Sequence, residues 1–284
     1  MKLIECPRDA MQGLHDFIPT AVKAEYINKL LKVGFHTIDF GSFVSAKAIP
    51  QLSDTAKVLD LLDLSSTQSS LLAIIANIRG AQDAVVFDQI GYLGFPFSVS
   101  ETFQKRNTNS DINGSLSTIE ELLTLCDKNN KTAVVYLSMG FGNPYGDAWS
   151  NEIVENLTEE LAGRGVKILS LSDTIGVSTP EKITYLFPHL VKRFPDIEFG
   201  VHLHSTPSSW EEKIDAAYTS GCRRFDSALK GFGGCPMASD SLTGNIATEN
   251  VISYMHERGE ALNLDLNAWQ EALSYSNEVF LQSE

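Results

Sequence analysis

His202 and His204 are the pair of residues in this sequence whose types and spacing point most directly to chemistry. They lie in EFGVHLH (198–204), a run typical of a β-strand. Residues i and i+2 of a strand face the same side, so both imidazoles would point in one direction. Two imidazoles beside carboxylates predict a divalent-metal site, and further oxygen ligands favour Mg²⁺ or Mn²⁺ over four-coordinate Zn²⁺. The alternative is a purely structural pair of hydrogen-bonded histidines.

Other ionisable residues also lie at or near the ends of strand-like runs. They are Arg8 and Asp9 after the first run, Asp39 in the second, Asp173 in the sixth and Lys230 in the eighth. A structural role stays open for two of them, since Arg8 could serve only in an ion pair and Asp173 could accept hydrogen bonds from its own turn. Their shared position predicts one common site.

The segment GFGGCPMASDSLTGN (231–245) is rich in glycine and offers little apolar area to offset the entropy lost on ordering it. It could be a linker, a surface turn or a lid over a reacting molecule. Cys235 lies in it, flanked by Gly and Pro. An inert cysteine is more commonly buried in a core, so this setting favours a reactive thiol.

Lys105 and Arg106 form a small basic patch in FQKRNTN (103–109). Such a patch is usually a solvated surface feature. In an acidic protein it could also anchor a phosphorylated ligand locally.

Eight β-rich runs alternate with helical patterns and supply the elements that must position these residues. The runs cover 2–6, 36–40, 70–76, 89–95, 132–139, 167–173, 198–204 and 224–230. This alternation predicts a parallel sheet, and eight is the number of strands that closes a barrel. An open doubly wound sheet is the alternative, but no Gly-rich phosphate loop follows the first strand. We therefore predict a single (β/α)₈ TIM-barrel domain over residues 1–284, with chemistry at the carboxyl ends of its strands and a lid at about 231–245.

Three of the predicted helices have recognisable ends. The pattern over 20–34 stops at its last residue, a glycine. The pattern over 117–130 begins with Ser117 as the N-cap of a capping box. The pattern over 179–194 begins with Thr179 as the cap, followed by proline at the first helical position.

Composition and charge exclude several classes of function. The 284 residues are 43% hydrophobic and 20% charged, which is typical of a globular protein, and the net charge is −14. Nucleic acids and anionic membranes prefer a basic surface, so we expect neither as a partner. No signal peptide or membrane-spanning run is evident. The four cysteines form no C-x-x-C pair, which favours reduced thiols in a cytoplasmic protein.

Taken together, the motifs resemble the 3-hydroxy-3-methylglutaryl-CoA (HMG-CoA) lyase family of the DRE-TIM metallolyase superfamily over nearly the full chain. The matching stretches are PRDAMQG (7–13), SFVSAKAIPQLSD (42–54), NPYG (143–146), SLSDTIGVSTP (170–180), VHLH (201–204) and GGCP…GNIATE (233–249). The resemblance implies a TIM barrel. It also implies a metal-dependent retro-Claisen cleavage of HMG-CoA to acetyl-CoA and acetoacetate, with an acyl-CoA thioester as the partner and a homodimer as the assembly.

The resemblance also assigns roles to residues. The metal ligands would be Asp9, His202, His204 and Asn245, holding Mg²⁺ or Mn²⁺, with Zn²⁺ as a third candidate. The catalytic residues would be Arg8 as enolate stabiliser, Cys235 as proton donor, Asp9 or His202 as base, and Asp39, Asp173 and Glu249 as further acidic residues. The substrate-binding residues would be Gln12, Ser42, Asn77, Lys105, Arg106, Tyr145 and Ser170.

Two positions depart from the family pattern. Asp39 stands where the family usually has glutamate. Ser205 stands where the family has the aspartate of its His-x-His-Asp-Thr motif. Residues close to metal ligands tune the orientation and affinity of those ligands, so these departures bear on which acyl group is accepted and leave the metal and bond-cleavage interpretation intact.

Three alternatives stay open at this point. The first is a lyase acting on another 3-hydroxyacyl-CoA. The second is a Claisen-type acyl transferase of the citramalate or isopropylmalate synthase kind. The third is a non-catalytic barrel that senses an acyl-CoA or a metal, although binding alone would not need an enolate stabiliser such as Arg8.

Overall fold

The computed structural model describes residues 1–234 and 243–280. Its barrel strands are β1 Lys2–Glu5, β2 Thr37–Ser42, β3 Ser70–Ile74, β4 Ile90–Ser98, β5 Thr132–Ser138, β6 Ile168–Asp173, β7 Glu198–Ser205 and β8 Arg224–Ser227. Each strand pairs in parallel with the next, and β8 pairs with β1. The predicted TIM barrel is therefore confirmed, and each of the eight predicted runs contains or overlaps one strand.

Helices connect the strands around the barrel. They are α1 Pro7–Gln12, α2 Thr20–Val33, α3 Thr55–Leu59, α4 Ile78–Val85, α5 Glu101–Thr108, α6 Ile112–Lys128, α7 Asn151–Gly163, α8 Pro180–Arg193, α9 Trp210–Thr219, α10 Thr248–Glu257 and α11 Leu266–Phe280. The longest of these, α6, has 17 residues. Among the described residues, none of the helices combines the length and the apolar character needed to cross a membrane.

Two of the three predicted helix ends are confirmed, and the third is wrong. Helix α2 ends before Gly34, which adopts the left-handed conformation, and the Thr179 side chain accepts a hydrogen bond from the first turn of α8. Helix α6 instead begins five residues before Ser117, because Asp111 accepts a hydrogen bond from Gly114 N and caps the helix there. Ser117 is an interior helical residue.

A ninth, two-residue strand, β9 Gly244–Asn245, pairs antiparallel with the end of β7. Asn245 lies opposite His204, and Gly244 lies opposite Ser205. The predicted lid at 231–245 therefore has its far end fixed to the strand that carries the two histidines. The middle of the predicted lid, including Cys235, lies outside the described residues.

The lower part of the barrel is filled by side chains, so the barrel is not an open channel. An apolar layer consists of Leu72, Ile74, Val134, Tyr136 and Ile168. Below it, Glu198 accepts hydrogen bonds from Lys2 and from the buried Arg224. A ligand can therefore approach the polar residues of the interior from the carboxyl ends of the strands.

Candidate active site

A cleft opens at the carboxyl ends of the barrel strands, as the fold predicts. It encloses about 910 Å³, including space open to solvent. Its lining combines polar and ionisable residues, including Arg8, Asp9, Gln12, His202 and His204, with apolar residues, including Val44, Ile49, Ile74, Pro96 and Phe103. A ligand with both polar and apolar parts would suit this lining.

Three predicted metal ligands meet at the base of this cleft. Candidate ligand atoms of Asp9, His202 and His204 all lie within 4.8 Å of one another, and all three residues are buried. Asn245 Nδ2 donates to Asp9 Oδ2 at 2.6 Å, so the fourth predicted ligand is in contact with this cluster. The fold thus brings together two histidines from β7, an aspartate from α1 and an asparagine from β9.

The state of His204 fits a metal ligand. Neither of its ring nitrogens has a hydrogen-bond partner among the described residues, although the side chain is almost completely buried. Burial, together with the neighbouring His202, lowers the pKa of His204 from 6.5 to about 4. The imidazole is therefore neutral at physiological pH, the form that binds metals. Two unpaired buried nitrogens are costly unless another group satisfies them.

The balance of charge fits a divalent cation. Two buried carboxylates, those of Asp9 and Asp39, contact the buried guanidinium of Arg8, and a third, that of Asp226, contacts His202. If all are ionised, the group has a formal excess of two negative charges, which is expensive in a site shielded from water. A divalent cation at the cluster would neutralise this excess. The donor set of carboxylate, amide and imidazole suits Mg²⁺, Mn²⁺ or Zn²⁺.

The two aspartates that contact Arg8 differ in acidity. Burial raises the pKa of Asp9, but the charges of Arg8 and the two histidines outweigh it and hold the pKa at about 2. Burial dominates at Asp39 and raises its pKa to about 6, even with Arg8 beside it. Asp9 is therefore ionised and available as a ligand over the whole physiological pH range.

Arg8 is held in a fixed orientation by three side chains. Its Nε and Nη2 atoms donate to Asp39, with Nη2 and Oδ2 separated by 2.5 Å. Its Nη1 atom donates to Asp9 at 2.8 Å and to Gln12 at 3.0 Å. These contacts occupy four of the five guanidinium N–H groups, so one N–H on Nη2 is available to a ligand in the cleft. Asp39 binds Arg8 through both of its oxygens.

Asp226 is a site residue that the sequence reasoning missed. His202 Nδ1 lies 3.3 Å from Asp226 Oδ2, and burial of the ring is outweighed by this carboxylate, so the pKa of His202 is raised. A hydrogen bond at Nδ1 leaves Nε2 as the metal-facing nitrogen. The signal was present in RFDSALK, since the strand alternation places Asp226 beside His202 in the β7–β8 pairing.

The other predicted acidic residues lie outside the lining of the cleft. Asp173 is buried at the end of β6, where it pairs with Lys213 and accepts hydrogen bonds from its own loop. This is the turn role that the sequence left open. Glu249 accepts a hydrogen bond from Lys230 N, where the glycine segment begins. Its contact supports the start of the predicted lid.

The two residues of the basic patch, Lys105 and Arg106, lie in different surroundings. The Arg106 guanidinium lies over the Tyr145 ring, 4.7 Å from its centroid, and Tyr145 stacks on Phe103, which lines the cleft. Lys105 is 60% exposed and pairs with Glu101 one helical turn away. The structure therefore places Arg106 and Tyr145 beside the cleft and Lys105 on the outer surface of α5.

Three predicted substrate-binding residues lie beyond the cleft lining. Ser42 and Asn77 line a neighbouring surface pocket, where the Asn77 side chain caps α4. Ser170 is completely buried in the barrel, and its hydroxyl has no partner among the described residues. Ser205 is buried at the end of β7 and pairs with Gly244. Cys235 lies outside the described residues.

Comparisons with known proteins find related sequences over nearly the whole chain. A family model described as HMGL-like matches residues 3–275. The chain is 32% identical over 276 residues to the cytoplasmic 3-hydroxy-3-methylglutaryl-CoA lyase of Rattus norvegicus, covering 96% of this chain and 79% of the relative. It is also 32% identical to a hydroxymethylglutaryl-CoA lyase of Bacillus subtilis (strain 168), covering 96% of this chain and 90% of the relative.

Solved structures are similar over nearly the whole chain. The HMG-CoA lyase of Brucella melitensis superimposes with a TM-score of 0.90 at 28% identity, covering 98% of both chains. An HMG-CoA lyase of Acinetobacter baumannii, in complex with coenzyme A and 3-methylmalate, gives a TM-score of 0.89 at 30% identity. That comparison covers 98% of this chain and 90% of the other.

Proposed function

The chain belongs to the HMGL-like family, and from this premise we propose that it is a divalent-metal-dependent carbon–carbon lyase. Its substrate is HMG-CoA, and its products are acetyl-CoA and acetoacetate. The observation that carries the proposal is the buried cluster of Asp9, His202 and His204 beside Arg8 at the base of the cleft. The related lyase bound to coenzyme A supports an acyl-CoA substrate.

Asp9, His202 and His204 would hold the ion, and the amide oxygen of Asn245 would complete the protein ligands. A bound divalent ion supplies Lewis-acid chemistry that lowers the pKa of the substrate's tertiary hydroxyl. The oxygen-rich donor set favours Mg²⁺ or Mn²⁺. Two residues, Asp9 and His202, are the candidates for the base that takes the hydroxyl proton.

Arg8 stabilises the charge that moves to the thioester oxygen when the carbon–carbon bond breaks. Its remaining N–H is the donor for this oxygen, and Asp39 and Gln12 hold the guanidinium still while the charge develops. A preorganised donor of this kind acts on the transition state more than on the bound substrate. Cys235 then donates a proton to the enolate carbon, and the lid over 231–245 excludes bulk water that would otherwise compete.

The test is to incubate purified protein with Mn²⁺ or Mg²⁺ and HMG-CoA, and to follow the release of acetyl-CoA. Elemental analysis of the Mn²⁺-loaded protein should give about one ion per chain. The control is the double variant His202→Ala with His204→Ala, which should lose both the ion and the activity. Retention of the ion by this variant would place the metal elsewhere.

A related lyase on another 3-hydroxyacyl-CoA is the second candidate, and the position of Asp39 favours testing it. Asp39 binds Arg8 through both oxygens, so a residue of a different length here would shift the guanidinium that faces the substrate. A panel of 3-hydroxyacyl-CoA thioesters should show HMG-CoA as the fastest substrate. Faster cleavage of another thioester would retain the lyase chemistry and change the substrate.

We also propose that the protein is cytoplasmic, since relatives named cytoplasmic are among its matches. The homodimer is proposed from the family resemblance of its motifs. Sedimentation equilibrium of the purified protein measures the assembly directly. A mass of one chain across the concentration range would contradict the dimer.

A further inference from the structure

Lys213 on α9 is a buried lysine that makes three hydrogen bonds. Its side chain is 3% exposed. Its ammonium donates to Asp173 Oδ2 at 2.9 Å, to Gly176 O at 3.0 Å and to His204 O at 2.8 Å. An ammonium has three N–H donors, so all of them are used. Lys213 does not line the cleft, and its contacts instead join three segments of chain.

The partner carboxylate is also fully engaged. Asp173 Oδ1 accepts from Val177 N at 2.8 Å, and Oδ2 accepts from Ser178 N at 3.0 Å and Ser178 Oγ at 2.5 Å. Together with Lys213, these contacts fix loop 174–178 against the end of β7. Buried charges are tolerated when they are paired and fully hydrogen-bonded, and this pair meets that condition.

Loop 174–178 contacts Thr243, the residue just before the strand that carries the fourth predicted metal ligand, Asn245. Gly176 has φ +75°, and a Cβ atom there would lie 2.5 Å from Thr243 Cγ2, so Thr243 packs directly on the loop. Thr243 Oγ1 also lies 3.4 Å from Ile175 O. Thr243 immediately precedes β9, where Asn245 pairs with His204.

We propose that Lys213 is a positioning residue for the metal site. Its ammonium donates a hydrogen bond to the backbone of His204 and so positions that ligand directly. Through Asp173 it also fixes loop 174–178, on which Thr243 packs, and so positions Asn245 indirectly. Two of the four ligands therefore depend on one buried ion pair. This inference rests on the proposed metal-binding function of the cluster.

The experiment compares Lys213→Met with Lys23→Met, a matched control. Lys23 is buried to a similar degree and pairs with Asp54 at 2.7 Å, and its hydrogen bonds go to Asp54 and Gln51 and not to a metal ligand. Both variants should lower the melting temperature, since each leaves a buried carboxylate without its cation. Only Lys213→Met should weaken Mn²⁺ binding, by about 10–100-fold in Kd measured by electron paramagnetic resonance. Lys23→Met should bind Mn²⁺ as tightly as wild type.

A second variant and a rescue separate positioning from folding. Lys213→Gln removes the charge but keeps a donor, so it should fold more readily than Lys213→Met and still bind Mn²⁺ more weakly than wild type. Excess Mn²⁺ should restore most of the activity of either variant. If both Lys213 variants bind Mn²⁺ with wild-type affinity, the positioning role of Lys213 is wrong, while the proposed metal site stands. Failure of the wild-type protein to bind Mn²⁺ would overturn the proposed metal site as well.

Discussion

Arg8 donates to Asp39 from Nε and Nη2, two atoms on one edge of its guanidinium group, and a lysine ammonium cannot reproduce that geometry. Arg8→Lys keeps the positive charge but loses the planar fork that aims one N–H at the substrate. We expect kcat to fall by about 10²–10³-fold, the usual cost of losing one oxyanion donor. Steady-state kinetics at saturating Mn²⁺ measures this fall.

The Arg8→Lys variant should bind Mn²⁺ and substrate nearly as well as wild type, because the ligand cluster stays in place. A loss confined to KM would show that Arg8 only binds the substrate. A loss of Mn²⁺ affinity as large as the loss of kcat would show that the Arg8–Asp9 contact supports the metal site more than the reaction.

Cys235 should be the thiol that alkylating reagents modify first. The described cysteines, Cys6, Cys126 and Cys222, are all buried, and burial raises the pKa of each thiol, to about 11 at Cys126 and about 12 at Cys222. Iodoacetamide at neutral pH should therefore label Cys235 selectively and inactivate the enzyme. Peptide mass spectrometry measures the labelling.

Ligand protection tests whether Cys235 belongs to the active site. Coenzyme A together with 3-hydroxyglutarate and Mn²⁺ should slow the labelling of Cys235 and the loss of activity in parallel. Equal labelling rates with and without these ligands would place Cys235 outside the site.

Glu5 joins β1 to the start of the glycine segment and to α10. Its Oε1 accepts from Leu229 N at 2.9 Å, and its Oε2 accepts from Thr248 Oγ1 at 2.5 Å. Burial, with a smaller contribution from the nearby Glu249, raises the pKa of Glu5 from 4.5 to about 8. The folded protein thus keeps the Glu5 proton between pH 4.5 and 8, whereas the unfolded chain releases it. The free energy of unfolding should therefore fall as pH rises through this window.

Glu5→Gln should remove this pH dependence, because the amide has no titrating proton: its oxygen can accept from Leu229 N, and its nitrogen can donate to Thr248 Oγ1, whose own proton can go to Ser227 Oγ. At pH 8 the variant should be more stable than wild type by about 1–4 kcal/mol, and near pH 4.5 the two should be similar. Urea unfolding at several pH values measures the difference. Glu121→Gln, at an exposed position of α6, should keep the wild-type profile. Identical profiles for wild type and Glu5→Gln would contradict a neutral Glu5.

At the scale of the whole molecule, the closed barrel holds the excess negative charge of the site away from water. Mn²⁺ binding should therefore stabilise the folded protein. At a free Mn²⁺ concentration of 100 times Kd, the gain is about 2.7 kcal/mol. For a chain of this size, this corresponds to a rise of roughly 5 °C in melting temperature, measurable by calorimetry.

The rise should disappear on chelation with EDTA. It should also be absent from the double variant His202→Ala with His204→Ala, although both proteins share the acidic surface behind the net charge of −14. An equal rise in that variant would show that Mn²⁺ stabilises the protein through its surface.

Local patterns determined most of the architecture. Each strand could be predicted because its β-rich run is short and continuous, and the eightfold alternation with helices left the closed barrel as the natural arrangement. The same-face position of His202 and His204 follows from strand geometry alone. The boundary of α6 was mispredicted because Asp111 and Ser117 are both acceptable caps, and only the folded chain shows which one is used.

The tertiary structure decided which side chains become partners. Arg8 and Asp39 are 31 residues apart, Asp173 and Lys213 are 40 apart, and Asp9 and Asn245 are 236 apart. No local pattern relates such positions, because barrel closure and strand register bring them together. For this reason the sequence identified the histidine pair, while the contacts of Asp226 with His202 and of Lys213 with the His204 backbone form only once β8 and α9 are packed against β7.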